Sequence, residues 1–277
     1  MKLVTANSYL KNKRCIDKAE DLWVVTKEYL DDQFEVEFNK EESFFQRYSE
    51  MKIASDLIKN GYLLGKKSAK GPDFSIKHKN LNIWIEVIAP KKGSYKTLSP
   101  VESLDSPELT TSELNENELI LKISSAIYDK KKIYDKYIKE GIVSQDDCKI
   151  IAINTSELFD GIYNPDRIPY VAIALYGIDS AWCTNSNSKF IKVVLERVEK
   201  RVKKNETLIS MDPFRAGQYS NITGCLFDCS SIGDYKENKI EYLVNESCNG
   251  SKLEGFFNKF ETYRIRDKTI QSTGPKS

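Results

Sequence analysis

The segment GPDFSIKHKNLNIWIEVIAP, which spans residues 71–90, has the composition of two short β-strands joined by a polar turn. The pattern predicts an antiparallel hairpin with strands over residues 72–77 and 82–89 and a turn over residues 78–81. With the turn centred between Lys79 and Asn80, residues equally far from that point are cross-strand partners. Asp73 then lies opposite Glu86, and the two carboxylates share one face of the hairpin.

The pairing of Asp73 with Glu86 predicts a bound cation. Carboxylates whose Cβ atoms are about 5 Å apart repel each other unless a cation or a proton lies between them. Strand alternation puts Trp84 and Ile88 on the same face as Glu86, so Glu86 interrupts an otherwise apolar strand. A divalent metal ion would balance the two charges. The alternative is that a lysine pairs with them, and a register shift of one residue would abolish the alignment.

The segments on either side of the hairpin predict a central mixed sheet flanked by helices. Residues 44–59 form a predicted helix that is closed by Gly61, because glycine tolerates the left-handed conformation at a helix C-terminus. A short strand over residues 62–65 precedes the hairpin. A second helix over residues 118–140 and a buried strand over residues 149–154 follow it. The order helix, two or three antiparallel strands, helix, strand indicates the α/β (α+β) class.

The remaining segments show weaker patterns. Residues 1–40 are predicted to be an N-terminal extension. Residues 94–117 are rich in Ser, Thr, Pro and acidic residues and are predicted to be a loop. An apolar run covers residues 170–176, and a strand is predicted over residues 224–228. Both belong to a predicted C-terminal extension, residues 156–277, which packs on the core.

The first helix contributes a third acidic side chain. Residues placed at intervals of about 100° put Glu50 in the same arc as Met51 and Ala54, so Glu50 is predicted to face inward. The predicted polar face of this helix carries Ser49, Lys52, Asp56 and Lys59. The alternative role for Glu50 is an ordinary ion pair with Arg47.

Metal-assisted attack on a phosphodiester benefits from a nearby cation, which offsets the charge that develops on the phosphate. Lys130 lies within the apolar stripe of the second helix and is one candidate for this cation. A snorkelling side chain whose stem covers apolar surface is the alternative interpretation. Other lysines stay open as candidates. Lys91 and Lys92 lie just beyond the second hairpin strand, and Lys122 lies at the margin of the same stripe.

The composition narrows the chemistry further. The chain has 277 residues, a formal net charge of +1 and a single histidine, His78, which excludes multi-histidine metal sites. Carboxylates would hold any metal, and they suit Mg²⁺ or Mn²⁺. The six cysteines lack zinc-site spacing and are expected to be reduced thiols. The sequence has no secretory signal and no apolar run of roughly 20 residues, so a cytoplasmic protein without membrane contact is expected.

The acidic pattern of Glu50, Pro72 with Asp73, and Glu86 resembles the motif of the PD-(D/E)xK nuclease superfamily. The predicted order of elements over residues 41–155 is similar to the α-β-β-β-α-β core of that restriction-endonuclease-like fold. The sequence around the two hairpin strands looks like a bacterial subgroup of the superfamily. The resemblance implies a magnesium-dependent phosphodiester hydrolase, an endonuclease, whose partner is nucleic acid, DNA in preference to RNA.

The sequence departs from the superfamily motif at Ile88, where other members carry the motif lysine. Some members move this lysine to a neighbouring helix, which here implies Lys130. Others have lost catalysis and only bind nucleic acid or protein. The first hypothesis is therefore a nuclease, and the alternative is an inactive binding module. A bacterial effector that acts in another cell is a third hypothesis, and a homodimer is an open one.

The nuclease hypothesis assigns a role to each candidate residue. Asp73 and Glu86 bind the metal ion. Glu50 supplies a further ligand or orients water, and Lys130 stabilises the transition state. Clustered basic residues, among them those at positions 66–67, are interpreted either as local nucleic-acid contacts or as solvated faces.

Overall fold

The structure, a computed structural model of the chain, describes residues 8–10, 12–65, 67, 70–91, 116–158, 168–185, 191–198, 200–202, 208–234, 239–248, 250–266 and 269–275. The predicted loop over residues 94–117 lies outside them, apart from its last two residues, which begin a helix. In the described part of the chain, no helix is both long and apolar enough to cross a membrane.

The helices of the predicted core are present. Those described are α1 (Lys13–Thr26), α2 (Phe34–Phe38), α3 (Phe44–Lys59), α4 (Glu116–Lys139) and α5 (Tyr170–Tyr176), with 3-10 turns at Ser8–Leu10, Lys27–Tyr29 and Gly250–Leu253. α3 has the predicted bounds, and Gly61 closes it with a φ of 84°. α4 begins two residues before its predicted start and ends one residue before its predicted end.

One mixed sheet of eight strands forms the centre of the described structure. The described strands are β1 (Leu64–Gly65), β2 (Phe74–His78), β3 (Leu81–Ile88), β4 (Cys148–Asn154), β5 (Ile178–Asn185), β6 (Ile191–Arg197), β7 (Lys200–Val202), β8 (Leu208–Ser210), β9 (Gly224–Asp228), β10 (Glu241–Val244), β11 (Glu261–Arg266) and β12 (Thr269–Thr273). The order in the sheet is β1-β2-β3-β4-β9-β10-β11-β12. The predicted mixed α/β (α+β) architecture is therefore confirmed.

The two halves of this sheet meet at β4. β1, β2 and β3 pair antiparallel, whereas β3, β4 and β9 run parallel. β9 to β12 extend the sheet of the N-terminal half, so strands from beyond residue 156 share its backbone hydrogen bonds. Two further ribbons, β5 with β6 and β7 with β8, lie outside this sheet.

Each face of the sheet carries its own apolar core. α4 and α5 cover one face, and α3 covers the other. Successive side chains of β3 alternate between these two cores, as predicted. Ile83, Ile85 and Val87 pack in the core that contains α3, whereas Trp84 and Ile88 pack against the core that contains α4. Glu86, between those two, therefore points to the α4 face.

The hairpin of β2 and β3 has the predicted register. Phe74 pairs with Ile85 and His78 pairs with Leu81, on either side of the predicted turn. The turn begins at Lys79, whose φ is 54°. Because a shift of one residue would move every side chain of a strand to the other face, this register decides which carboxylates meet.

The predicted polar face of α3 is wrong at three of its four positions. Ser49, Lys52 and Asp56 are buried, and only Lys59 is exposed. α1 and α2 pack against this helix, and Asp228 at the end of β9 lies close to its Lys52 side chain. Lys52 forms ion pairs with Asp56 and, at 3.8 Å, with Asp228. The charged side chains on this face pair with each other and with Asp228 inside the protein, so their presence does not indicate a solvent-exposed face.

Candidate active site

Asp73 and Glu86 come together where β2 begins and β3 ends. The register that pairs Phe74 with Ile85 places Asp73, one residue before β2, opposite Glu86. Asp73 Oδ2 accepts a hydrogen bond of 2.8 Å from the backbone N–H of Val87, which anchors the carboxylate to β3. The two residues are 9% and 3% exposed. The acidic pair derived from the sequence is therefore present as two neighbouring, largely buried carboxylates.

Lys130 of α4 reaches both carboxylates. Its Nζ lies 2.6 Å from Glu86 Oε2 and 3.8 Å from Asp73 Oδ2. The side chain is 12% exposed, so the ammonium is enclosed with the acids and does not snorkel to solvent. This contact is the one expected of a lysine moved from β3 to a helix, while its part in catalysis stays a prediction.

The other candidate lysines are placed differently. Lys122 Nζ donates to the backbone carbonyl of Lys91 at 3.2 Å, and this contact is exposed. Lys91 itself is exposed. Lys92 lies outside the described residues. Of the lysines considered from the sequence, Lys130 is therefore the one that the described structure brings to the acidic pair.

Two aromatic side chains fix α4 on the hairpin. The Tyr134 hydroxyl lies 2.9 Å from the carbonyl oxygen of Trp84 and 2.8 Å from that of Ile150, and it donates to one of them at a time. The Tyr137 hydroxyl donates to the carbonyl of Gly71 at 3.1 Å. Lys130, Tyr134 and Tyr137 recur at helical spacing, so one face of α4 carries both the anchors and the ammonium.

Glu50 faces inward, as predicted, but its charge is already engaged. Arg47 donates to Glu50 Oε2 at 2.8 Å, which is the ion pair weighed as an alternative. Gln46 Nε2 donates to Glu50 Oε1 and to the carbonyl of Val87, both at 3.0 Å. The side-chain oxygen of Gln46, Oε1, in turn accepts from the backbone N–H of Ala89 at 2.9 Å. Gln46 thus ties α3 to the end of β3 and holds Glu50 beside the acidic pair.

Lys67 and Asp31 also belong to the site, although no sequence pattern indicated them as site residues. Lys67 lies between β1 and β2, and its Nζ is 3.1 Å from Asp73 Oδ1, 3.0 Å from Asp31 Oδ2 and 4.0 Å from Glu50 Oε2. Arg47 NH1 is 2.9 Å from the same Asp31 oxygen. The one sequence signal for Lys67 was its basic cluster, which does not reveal a buried partner.

Four carboxylates face three basic side chains in this cluster: Asp31, Glu50, Asp73 and Glu86 face Arg47, Lys67 and Lys130. Burial raises the pKa of Glu86 to about 7, and the negative charge of Asp73 raises it as well. The ammonium of Lys130 acts in the opposite direction and lowers this pKa. Burial also raises the pKa of Glu50, again helped by Asp73. Burial alone would lower the pKa of Lys130, but Asp73 and Glu86 raise it overall. The cluster therefore favours uptake of a proton or of a further cation.

The raised pKa of Glu86 predicts a pH-dependent stability. We expect the free energy of unfolding of the wild type, measured relative to Glu86→Gln, to fall as the pH rises from 4.5 to about 7. In that window the folded chain binds more protons at Glu86 than the unfolded chain does, so stability is present at low pH and is lost as Glu86 ionises. The slope is at most about 1.4 kcal/mol per pH unit. Denaturant titrations of both proteins between pH 4.5 and 8 measure it, and parallel pH profiles would contradict it.

Carboxylate oxygens, which this cluster supplies, are the ligands that a hard divalent cation prefers. They do not form a complete coordination sphere. Among the described residues, no group of three or more His, Cys, Asp or Glu side chains is arranged to hold a metal ion. Mg²⁺, however, keeps several waters and is commonly held by only one or two carboxylates. Asp73 and Glu86 supply two, and the ammonium of Lys130 shows that a cation is accommodated beside both. The pair therefore fits Mg²⁺ or Mn²⁺, whereas Glu50 is engaged by Arg47.

Comparisons with known proteins add no relative to this picture. No protein-family model, no curated protein and no solved structure matches the chain. The site is therefore defined by its own geometry. It contains an acidic pair on one face of a hairpin and a helix lysine that contacts both acids, with Glu50, Asp31, Lys67 and Arg47 at its edge.

Proposed function

We propose that this chain is a metal-dependent nuclease that hydrolyses phosphodiester bonds in DNA, or else in RNA, with Mg²⁺ or Mn²⁺ held by Asp73 and Glu86. The observation that supports this function is the Lys130 ammonium, which contacts both buried carboxylates. Paired carboxylates beside a cation are the groups that metal-assisted phosphodiester hydrolysis uses. The order α3, β1, β2, β3, α4, β4 also agrees with the α-β-β-β-α-β core of the PD-(D/E)xK superfamily that the sequence resembles.

Each side chain has a task in the proposed reaction. A bound Mg²⁺ or Mn²⁺ supplies Lewis-acid activation of the phosphodiester and of the attacking water. Asp73 and Glu86 present oxygens that the hairpin holds rigidly, because Val87 N–H anchors Asp73. Lys130 places positive charge where the phosphate oxygens gain negative charge in the transition state. Glu50 orients the water from the α3 side.

Replacing Lys130 with methionine is expected to lower the rate of cleavage by on the order of 10²-fold. Methionine has a similar length but no charge, so it removes the stabilisation of the phosphate. It also raises the pKa of Glu86 further, because Lys130 lowers that pKa in the wild type. Single-turnover cleavage rates measure the effect. Lys131→Met is the matched control, because Lys131 Nζ pairs with Asp135 at a distance of 2.6 Å and does not contact Asp73 or Glu86 in the described structure. The Lys131→Met variant should cleave at the wild-type rate. Equal rates for the two variants would contradict the role of Lys130.

The nuclease activity itself is tested on the full chain. Supercoiled plasmid, linear duplex DNA, single-stranded DNA and single-stranded RNA are each incubated with Mg²⁺, with Mn²⁺ and with EDTA. We expect cleavage of at least one substrate that depends on the divalent ion and stops with EDTA. If no substrate is cut under any condition, or if cutting persists in EDTA, the proposed function is wrong.

The ion pairs in the site favour one second candidate, an inactive module that binds nucleic acid or a protein partner. Each of the four carboxylates already has a basic partner, so three basic side chains balance most of the negative charge of the cluster without a metal ion. In this case Lys67 and Lys130 replace the metal permanently. Binding of nucleic acid that is the same with Mg²⁺ and with EDTA, together with an absence of cleavage, would favour this candidate over the nuclease.

A further inference from the structure

The two oxygens of Asp73 are held in different ways. Oδ2 accepts from Val87 N–H at 2.8 Å and lies 3.8 Å from Lys130 Nζ, so β3 and α4 both restrain it. Oδ1 accepts from Lys67 Nζ at 3.1 Å. A further cation that binds Asp73 therefore competes with Lys67 for Oδ1.

Lys67 also contacts a second carboxylate, that of Asp31, which can hold its ammonium when the contact with Asp73 is lost. Its Nζ lies 3.0 Å from Asp31 Oδ2, and Arg47 holds that same Asp31 oxygen at 2.9 Å. An ammonium has three donors, so Lys67 can give up Asp73 and keep Asp31 without entering solvent. Lys130 differs in this respect, because its carboxylate partners in the described structure are both members of the acidic pair.

Lys67 and Asp31 are both held in their charged forms. Burial alone would lower the pKa of Lys67, but the charges of Asp73 and Glu50 and the hydrogen bond to Asp31 raise it overall. Burial opposes ionisation of Asp31, but Lys67 and Arg47 lower the pKa of Asp31. Both partners therefore stay ionised around neutral pH, and their attraction remains when Asp73 takes another cation.

We propose, building on the proposed function, that Asp31 and Lys67 form a switch that sets the affinity of the site for its divalent cation. Without that cation, Lys67 bridges Asp31 and Asp73 and neutralises the acidic pair from outside. When Mg²⁺ or Mn²⁺ binds at Asp73, Lys67 releases Oδ1 and stays on Asp31. Asp31 thereby makes the release of Lys67 less costly, and both are positioning residues that need not touch the substrate.

Binding of Mn²⁺ to the full chain tests this switch without any cleavage assay. Free Mn²⁺ is followed by electron paramagnetic resonance in titrations of the wild type, Lys67→Met, Asp31→Asn and the double variant. We expect Lys67→Met to lower the Kd for Mn²⁺ and Asp31→Asn to raise it, each on the order of tenfold, because a competitor is removed in one and strengthened in the other. In the Lys67→Met background, Asp31→Asn should have no effect.

The double variant separates the switch from a simple field effect. If Asp31 acts only through its charge at a distance, Asp31→Asn weakens Mn²⁺ binding equally in both backgrounds, and the switch is wrong. Unchanged Mn²⁺ affinity in both single variants also overturns the switch but leaves the nuclease proposal standing. A wild type and variants that all fail to bind Mn²⁺ overturn both. Lys131→Met, expected to shift the Kd less than Lys67→Met, reports the effect of losing any nearby lysine, and melting temperatures verify that every variant is folded.

Discussion

Replacing Asp73 with asparagine is expected to lower the rate of metal-dependent phosphodiester cleavage by on the order of 10³-fold, which corresponds to several kcal/mol of lost stabilisation. Asparagine retains an oxygen that can accept from Val87 N–H, so the anchor to β3 is kept. It removes the negative charge that Asp73 shares with Glu86 in holding the cation. The effect therefore reports on chemistry rather than on folding, and single-turnover cleavage of the preferred substrate at saturating Mn²⁺ measures it.

A matched control for Asp73→Asn is available elsewhere in the chain. Asp212 is also largely buried, at 7% exposure, and pairs with Arg215 outside the acidic cluster. Asp212→Asn should cleave at the wild-type rate. If Asp73→Asn, purified in parallel and shown to be folded, retains wild-type activity, then the cleavage does not use this acidic pair and the assignment fails.

Replacing Asp228 with alanine is expected to lower the free energy of unfolding by about 3–5 kcal/mol. The carboxylate is fully buried at the end of β9. Oδ1 accepts from the backbone N–H groups of Cys229 and Ser230 at 2.8 and 3.0 Å, and Oδ2 lies 3.8 Å from Lys52 Nζ. Alanine leaves two buried N–H groups without this acceptor and removes one of the charges that balance Lys52.

Denaturant titrations of the wild type and of Asp228→Ala measure this loss of stability. Asp129→Ala is the control, because the Asp129 side chain is 70% exposed and its contact with Lys132 is 4.0 Å long at the surface. That change should alter the free energy of unfolding by less than about 1 kcal/mol. An equally small change in Asp228→Ala would mean that the buried charges of Asp228 and Lys52 do not support the fold.

The elements that could be predicted are those whose own residues determine them. The bounds of α3 follow from its apolar spacing and from Gly61, and the register of β2 and β3 follows from a short turn between two strands. Hairpin partners are close in sequence, so few alternative pairings compete. The acidic pair came from this register, which is why Asp73 and Glu86 could be placed opposite each other before any packing was known.

The sequence predictions that were wrong concern the burial of charged side chains. Helical periodicity placed Lys52 and Asp56 on the polar face of α3, yet α1 and α2 pack against this helix and the end of β9 provides Asp228 as a partner for Lys52. A charged stripe on a helix indicates a solvent-exposed face only if no other element of the fold packs against it. The strands β9 to β12 were also not assigned to the same sheet as the hairpin, because sheet order between distant strands depends on long-range contacts.

By itself, the sequence determined the hairpin and its paired carboxylates, the inward direction of Glu50 and the helix that carries Lys130. Only the tertiary structure decided which lysine contacts the acids, because a long side chain reaches its partner only where packing has set the position of its helix or loop. Tyr134 and Tyr137 fix α4, and Lys130 therefore lies 2.6 Å from Glu86. The placement of Lys67 between Asp31 and Asp73 depends on three segments that meet only in the folded chain, so no local pattern predicts it.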